Sequence, residues 1–352
     1  MLLGCGGVGR ALIDRLLDRR SFYLERFGLE PAVVAIADGT GCVTDSEGLA
    51  AEVLNELRSW KEAGRSLRDF PGGREYGDTS RLLAEFAAPG TVAVDLTASD
   101  ETGAPLAEAL ERGVRVVLAN KKPLAGDFEL FRRLTRNPAV CRWETTVGSS
   151  LPIIASLNRL IAAGDEVFRI VGSYSGTLGF LTSRLQEGAR FSRLVRQAFE
   201  AGFTEPDPRE DLSGVDVARK SLILARMVGW PLELKDVTVG GILPQDFSHL
   251  SLEAFFDHLV DLDEYFAVRS KAAKKHGNVL RYVATVERDG CRVGLEEVPE
   301  SSQLGRLRGM DNLAEIYSRL YDPYPLVLQG RGSGVQATAA GVLADIVELA
   351  LA

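Results

Sequence analysis

The feature that most constrains the fold is a glycine-rich turn, Gly4-Cys5-Gly6-Gly7-Val8-Gly9, set between the apolar pair Leu2-Leu3 and an amphipathic stretch at residues 11–17. Gly4, Gly6 and Gly9 fit the spacing GxGxxG. In that pattern the first glycine permits a tight turn, the second lets a pyrophosphate approach the backbone, and the third lets helix and strand pack closely. The N–H groups that open the helix would face the phosphate. The plainer alternative is a glycine turn between strand and helix with no ligand. Only three residues precede Gly4, whereas a first strand usually has about five, so either the central strand is short or the numbering begins late.

Further along, apolar runs at 33–37, 92–96 and 114–118 alternate with helix-like stretches at 50–67 and 80–87. That alternation predicts βαβ units and a parallel sheet. Asp38 closes the second run and is a candidate for the adenosine ribose hydroxyls, although Asp is also a common turn former. It lies 29 residues beyond Gly9 rather than about 20, so the first helix or its loop must be extended through 21–28. No Arg or Lys falls between Pro31 and Arg58 to meet a 2′-phosphate. Locally this favours NAD over NADP, and a basic residue from elsewhere would reverse it.

After Pro152 the texture changes. A helix-like segment at 153–163 ends at Gly164, a strand at 167–171 leads into Gly172-Ser173-Tyr174-Ser175-Gly176-Thr177, and apolar runs at 237–243 and 282–286 suggest further strands. The tail, 334–352, has helical spacing, with Val342, Ile346 and Leu349 on one side. The expected fold is therefore α/β: a Rossmann-type doubly wound parallel sheet over residues 1–145, completed by 331–352, and a second α+β domain with a mixed sheet over 146–330.

Composition narrows the function classes. The 352 residues carry a net charge of −8, which argues against a nucleic-acid surface. Cys5, Cys42, Cys141 and Cys291 are widely separated, so neither a zinc site nor a disulfide framework is expected, and a reducing compartment fits. No window reads as a signal peptide or membrane span, so a cytoplasmic protein is expected. The three histidines, His249, His258 and His276, sit in no recognisable acid-paired motif, which disfavours a His-Asp dehydrogenase.

Seven ordered segments resemble homoserine dehydrogenase: GCGGVG at 4–9, DLTAS at 95–99, ANKKP at 119–123, ETTVGSSLPI at 144–153, GSYSGTLGF at 172–180, GFTEPDPREDLSGVDVARK at 202–220 and GSGVQATAAGV at 332–342. The resemblance implies reversible, NAD(P)-dependent interconversion of L-homoserine and L-aspartate 4-semialdehyde, in the route to threonine, isoleucine and methionine. It implies that Lys220 donates and accepts the proton, that Lys121 polarises the substrate oxygen, and that Glu205 and Asp216 bind the substrate ammonium. Cys5, Gly6, Gly7, Val8, Gly9, Asp38, Thr97, Asn120, Lys121 and Gly334 would contact the cofactor. Thr97 also reads as a helix N-cap and Asn120 as a turn residue. Glu144, Val147 and Ser149 resemble a monovalent-cation loop that binds sodium, with Ser149-Ser150 where Ala-Gly is common. Asp207, Arg209, Glu210 and Asp211 are expected to shape the loop or face solvent.

With no aspartokinase region ahead of Gly4 and no regulatory module after the closing helix, the chain reads as a monofunctional member. The resemblance implies a homodimer paired through the second domain's sheet. The alternatives are another Rossmann oxidoreductase with a lysine acid/base and a dinucleotide-binding protein without turnover. Asp216 and Lys220, four residues apart, share one helix face, and an exposed ion pair is their plainer reading.

Overall fold

Leu2–Leu3 forms a strand of two residues, β1, yet it lies in the middle of a six-stranded sheet. The computed structural model describes residues 1–352 except 245, 246 and 248, and divides into two units, Met1–Ser150 with Gly334–Ala352, and Leu151–Ser333. In the first unit β2 (Ala35–Asp38), β3 (Gly41–Thr44), β4 (Val92–Asp95), β5 (Arg115–Leu118) and β6 (Cys141–Arg142) complete a sheet of order β3-β2-β1-β4-β5-β6. All its pairings are parallel except β2 with β3. β1 can be short because strands flank it on both sides and it is buried, Leu2 and Leu3 being 2% and 3% exposed.

The chain leaves β1 to one side and β4 to the other, which is the arrangement that opens a crevice at the carboxyl ends of a doubly wound sheet. Helix Gly7–Asp18 packs on the sheet through Leu12 and Ile13, and the closing helix, Val335–Leu351, packs on that helix through Ala339, Val342 and Leu343. The long gap between Gly9 and Asp38 holds a second helix, Arg20–Phe27, as the spacing required. The helix expected at 50–67 is shorter: it spans Ala51–Glu62, after which Gly64 takes a left-handed φ of 72° and Leu67–Asp69 makes one 3₁₀ turn.

In the second unit β7 (Val167–Ser173), β8 (Val237–Val239), β9 (Asn278–Glu287), β10 (Gly290–Pro299), β11 (Asp311–Ser318) and β12 (Leu326–Arg331) order as β12-β11-β7-β9-β10-β8. Only β10 with β8 is parallel, so the sheet is mixed. The run at 237–243 supplies three strand residues, because Gly240 and Gly241 end the ladder. Helices Gly176–Gln186, Val215–Met227 and Asp263–Lys275 pack on β9. Arg281 on β9 is 1% exposed, and its guanidinium donates to the carbonyls of Leu304, Gly305 and Leu307 and to Gln186 Oε1. Burial lowers this group to about 10; the carbonyl cluster is what makes a buried cation tolerable.

Candidate active site

In the first unit the glycine turn has three distinct surroundings. Gly4 adopts φ 105°, and a Cβ there would meet the Leu96 carbonyl at 2.9 Å, so only glycine fits beside the end of β4. A Cβ on Gly9 would overlap the Gly4 carbonyl oxygen, whereas a Cβ on Gly6 would have no protein atom within 4 Å. The first and third glycines therefore serve packing, and the second borders open space. Helix Gly7–Asp18 starts at Gly6 with no side-chain cap, leaving its first N–H groups directed at that space. Cys5 is 2% exposed, and burial pushes its thiol up to about 11, so it packs as an apolar residue. Val8 packs against the core, and a Cβ on Gly7 would lie 3.3 Å from Val335, directly after Gly334, which caps the closing helix.

A cleft of about 880 Å³ runs along these strand ends, lined by Leu3, Asp38, Arg68, Tyr76, Thr97 and Ser99 among others. Asp38 is already engaged. Its Oδ1 accepts from the Thr40 N–H at 2.8 Å and the Thr40 hydroxyl at 2.5 Å, and its Oδ2 meets Lys61 Nζ at 2.7 Å. The basic residue missing from 31–58 is thus supplied from the end of helix Ala51–Glu62, which the linear spacing did not reveal. Arg68 on the cleft wall pairs with Glu75 at 2.6 Å.

At the end of β4, Thr97 is not a helix cap. That position belongs to Thr102, ahead of Gly103–Glu111. Instead the Thr97 N–H and hydroxyl both donate to Asp95 Oδ1, at 3.0 and 2.7 Å. Asn120, 4% exposed at the end of β5, donates to Asp95 Oδ2 at 3.1 Å and to the Ser99 carbonyl at 2.7 Å, and accepts from the Lys122 N–H at 3.1 Å. Lys121 follows as the N-cap of the short helix Lys122–Ala125.

Glu144–Thr146 forms a 3₁₀ turn, followed by Val147 in extended conformation and by Gly148 and Ser149 at φ 80° and 58°. Ser149 is the one described non-glycine residue with positive φ, and its hydroxyl lies 2.8 Å from that of Thr338. The Glu144 N–H donates to Asp345 Oδ2 at 3.1 Å. Burial first, and then the charge of Glu144, pushes the Asp345 carboxyl up to about 8. Among the described residues no cluster of three or more His, Cys, Asp or Glu could hold a metal ion.

In the second unit, Lys220 Nζ meets Asp216 Oδ2 at 2.7 Å and donates to the Tyr174 carbonyl at 2.7 Å. The lysine is the shielded partner: its side chain is 13% exposed, against 40% for that of Asp216. Gly214 starts this helix at φ 79°, and any Cβ there would collide with the Tyr282 hydroxyl, so the helix start is fixed against β9. Glu205 is exposed, but its N–H donates to Asp211 Oδ2 at 2.8 Å. Asp211 Oδ1 accepts from the Thr177 hydroxyl at 3.1 Å, which also donates to the Phe203 carbonyl at 2.6 Å. Asp211, expected only to shape the loop, joins the 172–180 segment to the Glu205 loop. Burial raises its carboxyl above the ordinary range.

Comparison with known proteins bears on both units. Residues 152–347 match the family model for homoserine dehydrogenase, and residues 4–140 match that for the homoserine dehydrogenase NAD binding domain. A bifunctional aspartokinase/homoserine dehydrogenase of Haemophilus influenzae is 39% identical over 354 residues, covering 98% of this chain and 42% of that protein. The chain thus spans about two-fifths of the length of its bifunctional relatives. A homoserine dehydrogenase of Emericella nidulans is 32% identical over 99% of this chain and 97% of that protein. Among solved structures, a hyperthermophilic archaeal homoserine dehydrogenase in complex with NADPH superposes with a TM-score of 0.76 at 26% identity, covering 98% of this chain and 95% of that one.

Proposed function

The chain belongs to the homoserine dehydrogenase family, and on that premise we propose that it interconverts L-homoserine and L-aspartate 4-semialdehyde, in threonine, methionine and isoleucine biosynthesis. The observation that carries the reading is the Lys220 ammonium, shielded from solvent and held between Asp216 and the Tyr174 carbonyl. Oxidising an alcohol requires a base for the hydroxyl proton, and the reverse requires an acid for the aldehyde oxygen. In the reduction the Lys220 ammonium gives its proton to the aldehyde oxygen, and in the oxidation the neutral amine takes the hydroxyl proton at Nζ. As the ammonium, it has two of its three donors engaged by Asp216 and the Tyr174 carbonyl and a third to offer the substrate oxygen. Lys121 polarises the substrate oxygen, the role that the family resemblance implies for it. Glu205 and Asp216 bind the substrate ammonium with carboxylate oxygens, and Asp211 holds the Glu205 backbone in place for it.

The first unit suits a nicotinamide dinucleotide: an uncapped helix start beside the space at Gly6 for the pyrophosphate, and a cleft leading to Asp38. When bound, that cofactor accepts or supplies the hydride. Gly6, Gly7, Val8 and Gly9 present backbone to the pyrophosphate; Thr97, Asn120 and Lys121 orient the nicotinamide end, and Gly334 closes the turn from the side. Lys61 neutralises Asp38, and with Arg68 it equips the cleft for a 2′-phosphate as well as for free ribose hydroxyls. The archaeal relative, in complex with NADPH, fits this reading.

We also propose a monovalent-cation site in which the Glu144 carboxylate and the carbonyls of Val147 and Ser149 bind sodium. Ser149, a non-glycine residue held at a left-handed φ, gives that loop a costly shape of a kind that clusters at functional sites, and hard oxygen ligands suit such an ion. A homodimer paired through the second unit's sheet follows from the resemblance, and sedimentation would show it. Four buried free cysteines suit a cytoplasmic, reducing location, and no described helix is long and apolar enough to cross a membrane.

The test is the absorbance of reduced nicotinamide on mixing folded protein with L-homoserine and NAD+ or NADP+. A rise with either is expected. No turnover with both would sink the reading and leave a different lysine-based oxidoreductase, or a binding protein without turnover.

A further inference from the structure

Asp95 ends β4 and is 0% exposed, with no cation among the groups that meet its carboxyl. Four donors converge on its two oxygens: the Thr97 N–H and hydroxyl on Oδ1, and the Thr102 hydroxyl at 2.5 Å and Asn120 Nδ2 at 3.1 Å on Oδ2. Its own carbonyl accepts from the Ala119 and Asn120 N–H groups at 2.9 and 3.2 Å. One residue therefore ties together the end of β4, the end of β5 and the start of helix Gly103–Glu111. A buried carboxyl is expensive unless saturated by donors, and this one is saturated by residues of the cleft wall: Thr97 and Thr102 both line it.

We propose that Asp95 is a positioning residue for the nicotinamide end of the site, acting through Thr97 and Asn120; this rests on the dinucleotide reading given above. The geometry is directional. Asn120 donates from Nδ2 to Asp95 and to Ser99, and its Oδ1 accepts from the Lys122 N–H, so its amide can stand in one orientation only. That orientation fixes the backbone on both sides of Lys121. Asp95 thus decides where Thr97 presents its hydroxyl and where the chain departs into Lys121.

Replacing Asp95 by Asn tests this without changing volume. The new amide oxygen must face the Thr97 N–H, which puts its NH₂ against the NH₂ of Asn120. If Asn120 turns over, its oxygen meets the Ser99 carbonyl and its NH₂ meets the Lys122 N–H. No arrangement satisfies all the groups, so the loop must move.

In Asp95→Asn, kcat is expected to fall about 100-fold, the size of effect a displacement near 1 Å produces, while KM for homoserine changes little. The primary isotope effect with C4-deuterated homoserine should rise, and the fluorescence of bound reduced nicotinamide dinucleotide should change, because the ring's surroundings change. Thr102→Val, which removes one of the four donors, should give a kcat loss smaller than that of Asp95→Asn, and it decides the matter if Asp95→Asn does not fold. A folded variant that melts earlier but keeps wild-type kcat, isotope effect and nicotinamide fluorescence overturns the proposal. If wild-type protein turns over no homoserine, the family reaction fails on its own, and the fluorescence comparison still judges Asp95: unchanged emission and affinity reject it, and a changed emission supports it.

Discussion

The two units hold their functional groups in opposite ways. In the first, Thr97 and Asn120 stand at strand ends and are both tied to Asp95, and Asp38, at another strand end, is held by Thr40 and Lys61. In the second, Lys220 and Asp216 ride on a regular helix whose start is fixed by Gly214 against Tyr282, and only Glu205 depends on a loop. A surface built for a large cofactor can be made from backbone and hydroxyls that are preset. Proton transfer instead needs one group at one place, which a helix packed on β9 supplies with little freedom.

The sharpest way to break that contrast is at Lys220. Lys220→Ala should lower kcat by about 10² to 10⁴, the usual worth of a positioned acid/base, while dinucleotide affinity measured by fluorescence stays at its wild-type value. A comparable loss of affinity would mean that the helix in the second unit is not devoted to proton transfer. Asp211→Ala should act next. It strips the acceptor from the Glu205 N–H and leaves Thr177 with the Phe203 carbonyl alone. KM for homoserine is expected to rise about tenfold, equal to about 1.4 kcal/mol and close to the lower end of what a hydrogen bond to a charged group contributes. If kcat fell instead with KM unchanged, Asp211 would belong with the proton-transfer machinery.

These two residues differ in how far the sequence announced them. Lys220 could be placed because Asp216 and Lys220 have helical spacing and stand inside a motif. Asp211 could not, because its partners Thr177 and Glu205 are joined to it by tertiary folding and no spacing rule links them. The first unit shows the same boundary. The glycine turn, the strand ends and Asp38 follow from local pattern. The Lys61 contact depends on where helix Ala51–Glu62 stops, and helix ends are the least legible feature of a sequence. β1 is the reverse case: two residues are too few to propose a strand from periodicity, yet neighbours on both sides make it one.

A pair of alanine substitutions separates the packing from the binding role within one turn. Gly9→Ala forces a Cβ into the Gly4 carbonyl and should destabilise the fold by about 1–3 kcal/mol, as overpacking does. Gly6→Ala meets no protein atom, so its melting temperature should stay near wild type while the dinucleotide Kd rises about tenfold. Equal melting temperatures for the two variants, or an unchanged Kd for Gly6→Ala, would remove the reason for calling that space a pyrophosphate site.

The smallest expected effect concerns Lys61, and it sharpens the account of the first unit most. Asp38 at the end of its strand would ordinarily accept the ribose hydroxyls and repel a 2′-phosphate. Here Oδ2 is neutralised by Lys61 at 2.7 Å, with the lysine side chain 12% exposed, so the pair is partly shielded from the screening that weakens surface ion pairs. Lys61→Met keeps the apolar stem and removes the charge. Oδ2 is then released to a ribose hydroxyl, and the uncompensated carboxylate faces any phosphate. The ratio of kcat/KM for NADP+ to that for NAD+ should fall about fivefold to tenfold, about 1–1.4 kcal/mol, through opposite changes in the two KM values. Raising the salt concentration should shrink the difference, since the contribution of Lys61 is electrostatic. If the ratio holds while both affinities drop together, Lys61 only braces the Asp38 turn, and discrimination at the 2′ position must come from Arg68 across the cleft.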